Sequence, residues 1–400
     1  MAPRAPLDPL TGLEAARFGV YVHFPYCLSK CPYCDFASTA ARTIPDERYT
    51  AAILAELEGR LEAQQLTGRE VTSIFIGGGT PSLWAPASVA KVLEALRSKL
   101  RVAEGCEVTL EANPGASDAG RFADYRAAGV NRLSMGVQSF EASTLATLGR
   151  AHDGATAARA FEAARRAGFD NVSMDFIYGV HGQTLAQVES DARRAVALGS
   201  EHLSAYALTL DKASLAEEVP LARQLARGEV SLPPDDTVVR MQRVVRDVFA
   251  AAGLQRYEIS NYAKPGFHSR HNALYWTGGE YLALGTGATG HLRATAPFRY
   301  SNQRSAEKYL LEVEAGRWPE ASREELSGLE LFEERVAMGL RLASGVDLAA
   351  VCALFGQDFA SRALTVRHLL SAGMAEQREG RLALTDAGFD VHSAIAARLM

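Results

Sequence analysis

Several things are scarce in this 400-residue chain, and each scarcity excludes a class of protein. No uninterrupted apolar run approaches the ~18–20 residues of a membrane-spanning helix, so no integral membrane segment is expected. The first 17 residues hold three prolines and lack the apolar stretch of a signal peptide, which predicts a flexible arm over 1–17. Basic residues do not predominate: 42 Lys and Arg against 47 Asp and Glu leave −5, which argues against a broad nucleic-acid face. Cysteine is rare, five in all, too few and too uneven for a disulfide framework. A reducing, cytoplasmic setting follows. No low-complexity tract is present, and no repeat longer than a strand–helix unit. With 48% hydrophobic and 22% charged residues, wholesale disorder is excluded as well.

What is present is an alternation. Short β-rich runs occur at 19–24, 71–76, 107–112, 131–136, 171–176 and 202–208. Between them, 46–66, 87–100, 118–128, 155–167 and 185–198 repeat apolar residues at helical spacing. Asp118 and Thr184 are expected N-caps, and Gly129, Gly168 and Gly199 follow helices as left-handed C-terminal residues. Strand–helix alternation predicts an α/β fold of parallel strands with right-handed crossovers. Six units suit a partial (β/α)6 barrel, TIM-like but open, with its chemistry at the strand C-terminal ends. The polar residues do follow the strands. Beyond this unit (18–250), a Gly- and aromatic-rich extension is expected over 251–320, with a short strand at 256–259. A smaller, mainly helical domain follows over 321–400. Its helices ending in a short ribbon suggest a winged-helix-like form. Residues 346–359 are nearly free of basic side chains, so packing or docking is expected there rather than DNA binding.

Three of the five cysteines, Cys27, Cys31 and Cys34, lie on one loop with C-x3-C-x2-C spacing. Three thiolates can hold three irons of a [4Fe–4S] cube and leave the fourth open to an external amine and carboxylate. Zinc, with His23 or a distant His as fourth ligand, is a rival reading. Redox thiols at Cys31 and Cys34 are another. Cys106 and Cys352 stand alone and read as small buried hydrophobes. Gly77-Gly78-Gly79-Thr80 after the second strand would let the backbone approach a ligand and expose amides. Glu111 (in EANP), Gln138, Arg150 and Asp175 stand at later strand ends. Arg150 is suited to gripping a carboxylate through two parallel bonds.

The cysteine spacing resembles that of the radical S-adenosylmethionine superfamily. The surrounding YVHFPYCLSKCPYCDF is similar to its coproporphyrinogen oxidase-like branch, which contains oxygen-independent coproporphyrinogen III dehydrogenases and HemW-type heme chaperones. The likeness runs from about residue 18 to 300 and continues weakly to the end. It implies a [4Fe–4S] cluster on Cys27, Cys31 and Cys34. It implies S-adenosyl-L-methionine contacts at Tyr21, Tyr33, Gly78, Gly79, Thr80, Glu111, Gln138, Arg150 and Asp175, and more weakly Thr209. Val180-His181-Gly182 departs from the usual Leu-Pro-Gly and leaves that loop's shape open.

HNALYW, residues 271–276, resembles a feature of the chaperones. It implies heme contact at His271, Tyr275 and Trp276, with His268 and His291 in reserve. The dehydrogenases carry a further Cys two positions after the triplet, where this chain has Phe36, and a longer N-terminal extension. Both differences favour a heme chaperone that delivers heme to target proteins over a coproporphyrinogen III dehydrogenase. Heme and heme-accepting proteins are the partners implied; a homodimer is compatible with the sequence.

Overall fold

The protein is described by a computed structural model that covers residues 18–115, 119–210, 219–293 and 296–400. The arm expected over 1–17 and the N-cap expected at Asp118 lie outside the described residues.

The six expected strands all form: β1 (Phe18–Phe24), β2 (Glu70–Gly78), β3 (Arg101–Ala112), β4 (Arg132–Gln138), β5 (Val172–Tyr178) and β6 (His202–Ala207). They pair in that order, all parallel. Alternation along β1 explains its place. Phe18, Val20, Val22 and Phe24 are fully buried under the helices, while Gly19, Tyr21 and His23 point to the other face. The crossovers run through α1 (Asp46–Ala63), α2 (Pro86–Lys99), α3 (Phe122–Ala128), α4 (Gly154–Arg166) and α5 (Leu185–Leu198). Thr184 caps α5 reciprocally with Gln187, and Gly129 and Gly199 end α3 and α5 at φ of 104° and 80°.

β1 is not an edge strand. After α6 (Asp235–Ala251) the chain adds two short strands beyond β6: β7 (Gln255–Arg256) and β8 (Asn261–Ala263). The strand expected over 256–259 stops early because Glu258 folds back. Its Oε1 accepts from Ser260 N at 2.7 Å and Asn261 Nδ2 at 2.6 Å, making a turn. Helix α7 (Arg270–Thr277) follows. The chain then returns to the other flank as β9 (Glu280–Leu284), parallel to β1, and continues antiparallel through β10 (Thr289–Arg293), β11 (Pro297–Asn302) and β12 (Glu320–Glu325). The Gly- and aromatic-rich extension is thus part of the same twelve-stranded sheet.

A buried network ties this flank to α1. Glu56 and Arg60 pair at 2.7 Å, and both side chains are almost fully enclosed. Glu56 also accepts from Gly285 N, Asn302 Nδ2 and Tyr309 OH, each at 2.8 Å. Arg60 donates to Asn302 and Glu320 and lies 3.7 Å over the Tyr300 ring.

The smaller C-terminal unit has its own core, including Phe332, Val336, Leu340, Val351, Leu382 and Leu399. It is built from helices Gly328–Leu340, Leu348–Leu354 and Ala363–Ser371, then a ribbon of Ala375–Arg378 and Arg381–Leu384, then short helices. Cys352 is buried in this core and Cys106 in the large one, as expected for isolated cysteines. Among the described residues no helix is long and apolar enough to cross a membrane.

Candidate cofactor and ligand cavity

The alternation that buries one face of β1–β6 sends the other set of side chains inward. They surround a cavity of about 820 Å³ at the strand C-terminal ends. Cys27, Cys31, Cys34, Tyr21, Tyr33, Gly78, Gly79, Thr80, Glu111, Gln138, Arg150, Asp175 and Thr209 all line it, so the structure brings together every residue named for cluster and nucleoside.

The cysteine loop is fastened at its base by a two-residue parallel pairing of Tyr26–Cys27 with Thr39–Ala40. Its three thiols are unpaired and half-buried. Thr80 Oγ1 donates to Cys27 Sγ at 3.3 Å, and Arg150 Nη1 donates to Cys31 Sγ at 3.4 Å. Burial pushes the Cys27 and Cys34 thiols up from their ordinary values. Among the described residues, no three His, Cys, Asp or Glu side chains converge tightly enough to hold one metal ion. His23, the zinc rival's nearby fourth ligand, has both ring nitrogens engaged, with Tyr21 OH at 2.9 Å and Ala37 O at 2.9 Å. A cubane asks for something else: thiolates set apart, each on its own iron, with hydrogen-bond donors to sulfur. The loop supplies three thiols on the cavity wall and donors to two of them, from Thr80 and Arg150.

The glycine loop serves a different purpose from the one its composition suggested. Its amides are not exposed to a ligand. Gly78 N donates to Glu111 Oε2 at 2.9 Å, Gly79 N to Phe24 O at 2.7 Å, and Thr80 N to Tyr26 O at 3.0 Å. The glycines are required by crowding. A Cβ on Gly78, at φ +119°, would meet the His23 ring at 2.6 Å, and one on Gly79 would meet the Pro25 and Tyr26 backbone at 2.8 Å.

Glu111 and Asp175 form an acidic belt halfway down. Burial pushes the Glu111 carboxyl up to about 7, opposed by the Gly78 amide and helped by the charge of Asp175. Burial also raises Asp175, which accepts from Ser134 Oγ at 3.0 Å. Gln138 sits at φ +65°, unusual for a residue with a side chain, beside a register shift in the β4–β5 pairing. Arg150 is not the free carboxylate clamp expected. Its Nη2 donates to Asn113 Oδ1 at 2.6 Å and Gly136 O at 2.9 Å, besides the Nη1 contact to sulfur.

The HNALYW segment is helix α7, which closes the cavity floor. Glu107 Oε1 accepts from the amides of Arg270 (3.0 Å) and His271 (3.1 Å) at its start. His271 is fully buried, with Ser73 Oγ at 3.0 Å from Nδ1 and Tyr275 OH at 3.0 Å from Nε2. Burial pulls this imidazole down to about 3. Both ring nitrogens thus have hydroxyl partners in this structure. Tyr275 lines the cavity with His271, whereas Trp276 packs away from it against Tyr257. His268 stacks on Tyr257, and His291 lies on β10 near Tyr281; neither lines the cavity.

The family model of the Radical SAM superfamily matches residues 21–195, and that of the HemN C-terminal domain matches 326–391. The heme chaperone HemW of Mycobacterium tuberculosis is 36% identical over 397 residues, 98% of this chain and 97% of that protein. The chain belongs to the HemW family. Heme chaperone HemW of Escherichia coli K12 is 41% identical over 68% of this chain and 69% of its own. Among solved structures, coproporphyrinogen III oxidase (HemN) from Escherichia coli, described as a radical SAM enzyme, superposes with a TM-score of 0.80. The match covers 97% of this chain and 92% of that one at 20% identity, a likeness of fold.

Two site residues of this HemW-family chain escaped the sequence reading. Asn113 donates to Thr80 Oγ1 at 3.2 Å and accepts from Arg150, which completes a chain of hydrogen bonds from Cys27 through Thr80, Asn113 and Arg150 to Cys31. Its signal was there, a polar side chain in EANP at a strand end. Asp191, on α5, accepts from Ser139 Oγ at 2.5 Å and Phe140 N at 2.7 Å, and so pins the turn behind Gln138. No local pattern marks that role.

Proposed function

We propose that this protein binds heme and delivers it to heme-accepting proteins, with a [4Fe–4S] cluster and S-adenosyl-L-methionine held in the strand-end cavity. One observation carries the reading: the three thiols of the C-x3-C-x2-C loop face the same cavity as the glycine loop and the acidic belt, in a chain matching HemW along nearly its whole length. Cys27, Cys31 and Cys34 would ligate the cluster, with Thr80 and Arg150 donating to two of the sulfurs. When bound, the cluster supplies an electron and an open iron, and the nucleoside supplies a sulfonium centre. Glu111 and Asp175 provide acceptors for an ammonium or ribose, Tyr21 and Tyr33 aromatic walls, and Gln138 an amide side chain at the rim. His271 is assigned to holding the floor rather than to ligating heme iron. We assign the cofactor unit to 18–250, its extension to 251–320 and a docking unit to 321–400. The protein would work in the cytoplasm, without nucleic acid as a partner.

The alternative, coproporphyrinogen III dehydrogenase activity, draws support from the fold shared with HemN. Against it stands Phe36, 59% exposed, where the dehydrogenases carry a further Cys. Anaerobically reconstituted protein, given heme and an apo-acceptor, should load the acceptor. Given coproporphyrinogen III, reductant and S-adenosylmethionine, it should yield no protoporphyrinogen; clear turnover would reverse the assignment. Iron and Fe–S absorbance should vanish in the Cys27/Cys31/Cys34→Ala variant.

A further inference from the structure

Arg132, on β4, lines the cavity with 2% of its surface exposed. It forms no ion pair and no side-chain hydrogen bond with any described residue, and its Nε is buried without a partner. Directly across the β3–β4 pairing lies Thr109, fully buried, whose hydroxyl is also unpartnered. A guanidinium cannot shed its proton, so a buried one left alone is strongly unfavourable. The contrast with Arg60 is direct: that equally buried guanidinium meets Glu56, Glu320, Asn302 and the Tyr300 ring. The groups near Arg132 compensate its charge at a distance and leave its donors unpaired. His202 has Ser173 Oγ at 2.8 Å and Tyr257 OH at 2.7 Å, and burial together with Arg132 keeps it neutral. Asp175 is drawn down by the charge of Arg132, yet its oxygens accept from serine hydroxyls and none accepts from the guanidinium. Both Nη atoms of Arg150 are already engaged.

We infer that Arg132, with Thr109 behind it, binds a ligand carboxylate in the lower part of the cavity. A planar fork of donors matches a carboxylate through two parallel bonds. This rests on the reading that the cavity receives S-adenosylmethionine and heme, each of which carries carboxylates. The two sources share one chemistry, and the test separates them.

The full-length protein is reconstituted anaerobically, and affinities are measured for two pairs: S-adenosylmethionine against its decarboxylated form, and heme against heme dimethyl ester. Parent, Arg132→Gln and Arg132→Lys are compared after thermal melts show that each folds. Arg132→Gln should weaken one acid by about 10- to 100-fold and its carboxylate-free counterpart by less than about twofold; the affected pair identifies the source. Arg132→Lys, which keeps the charge but not the fork, should fall between, and carries the test if Gln does not fold. Equal weakening of acid and counterpart, or of neither, overturns the inference. So does equal binding of acid and counterpart in both pairs by the parent protein, a result that needs no variant. A parent that binds neither acid overturns the functional reading itself, which distinguishes the two failures.

Discussion

Replacing Gly78 by Ala tests whether the glycine loop is a strut for the cysteine loop. Two costs combine. At φ +119° an L side chain is strained by about 1–3 kcal/mol. The added Cβ would also lie 2.6–2.8 Å from three atoms of the His23 ring, and overpacking of this kind costs about 1–3 kcal/mol. The ring cannot swing away freely, because it sits between Tyr21 OH and Ala37 O at the two ends of the cysteine segment. The total is about 2–6 kcal/mol. Gly182→Ala is the matched control: its φ is +71° and a Cβ there meets nothing within 4 Å, so it reports strain alone. Urea unfolding should show Gly78→Ala less stable than Gly182→Ala by the overpacking cost, about 1–3 kcal/mol, a gap of about 0.3–1 M in midpoint at an m-value near 3 kcal/mol/M. Iron retained after reconstitution should fall only in Gly78→Ala. Equal stabilities, or full iron retention despite the stability loss, would refute the strut.

Glu111→Gln should stabilise the apo protein at pH 8 and not at pH 4. The folded carboxyl titrates near 7 rather than 4.5, so the folded state holds the proton more tightly than the unfolded chain. Its cost is absent at low pH, grows as pH rises and is complete above 7, reaching up to about 3 kcal/mol. A stability difference that ignores pH would contradict this. Arg60→Ala should cost about 3–5 kcal/mol in chemical denaturation, because it leaves the Glu56 carboxylate buried without its cation; a loss under about 1 kcal/mol would mean that the network relaxes around the gap. His271→Ala should lower thermal stability by about 2–4 kcal/mol, from a cavity and two hydroxyls without partners, while leaving the heme Soret band unchanged. A displaced band would return iron ligation to this residue.

The six barrel strands were legible because each is a short β-rich run whose alternation survives in the sequence; β1 to β6 begin within about two residues of expectation, except β3, which starts at Arg101. β9 to β12 were not legible, since glycines and aromatics dilute the period there and pairing with β1 is a tertiary fact. The site divides the same way. Residue types at strand ends announced Cys27, Glu111 and Asp175. Hydrogen-bond assignments could not be read: the glycine amides are engaged internally, Arg150 holds sulfur and Asn113, and His271 holds the floor. The burial of Arg132 beside Thr109 without hydrogen-bond partners is likewise visible only once β3 and β4 lie side by side.

β1, which leads into the cysteines, is clasped between residues 73–78 on one flank and 280–284 on the other. During synthesis the first flank is covered early, and the second only after about 200 more residues have been made, roughly 10–40 s at ~5–20 residues per second. Throughout that interval the strand at the base of the cysteine loop has one unpaired edge. The wall that carries the cysteine loop is therefore finished late, after the chain has come back to its own beginning.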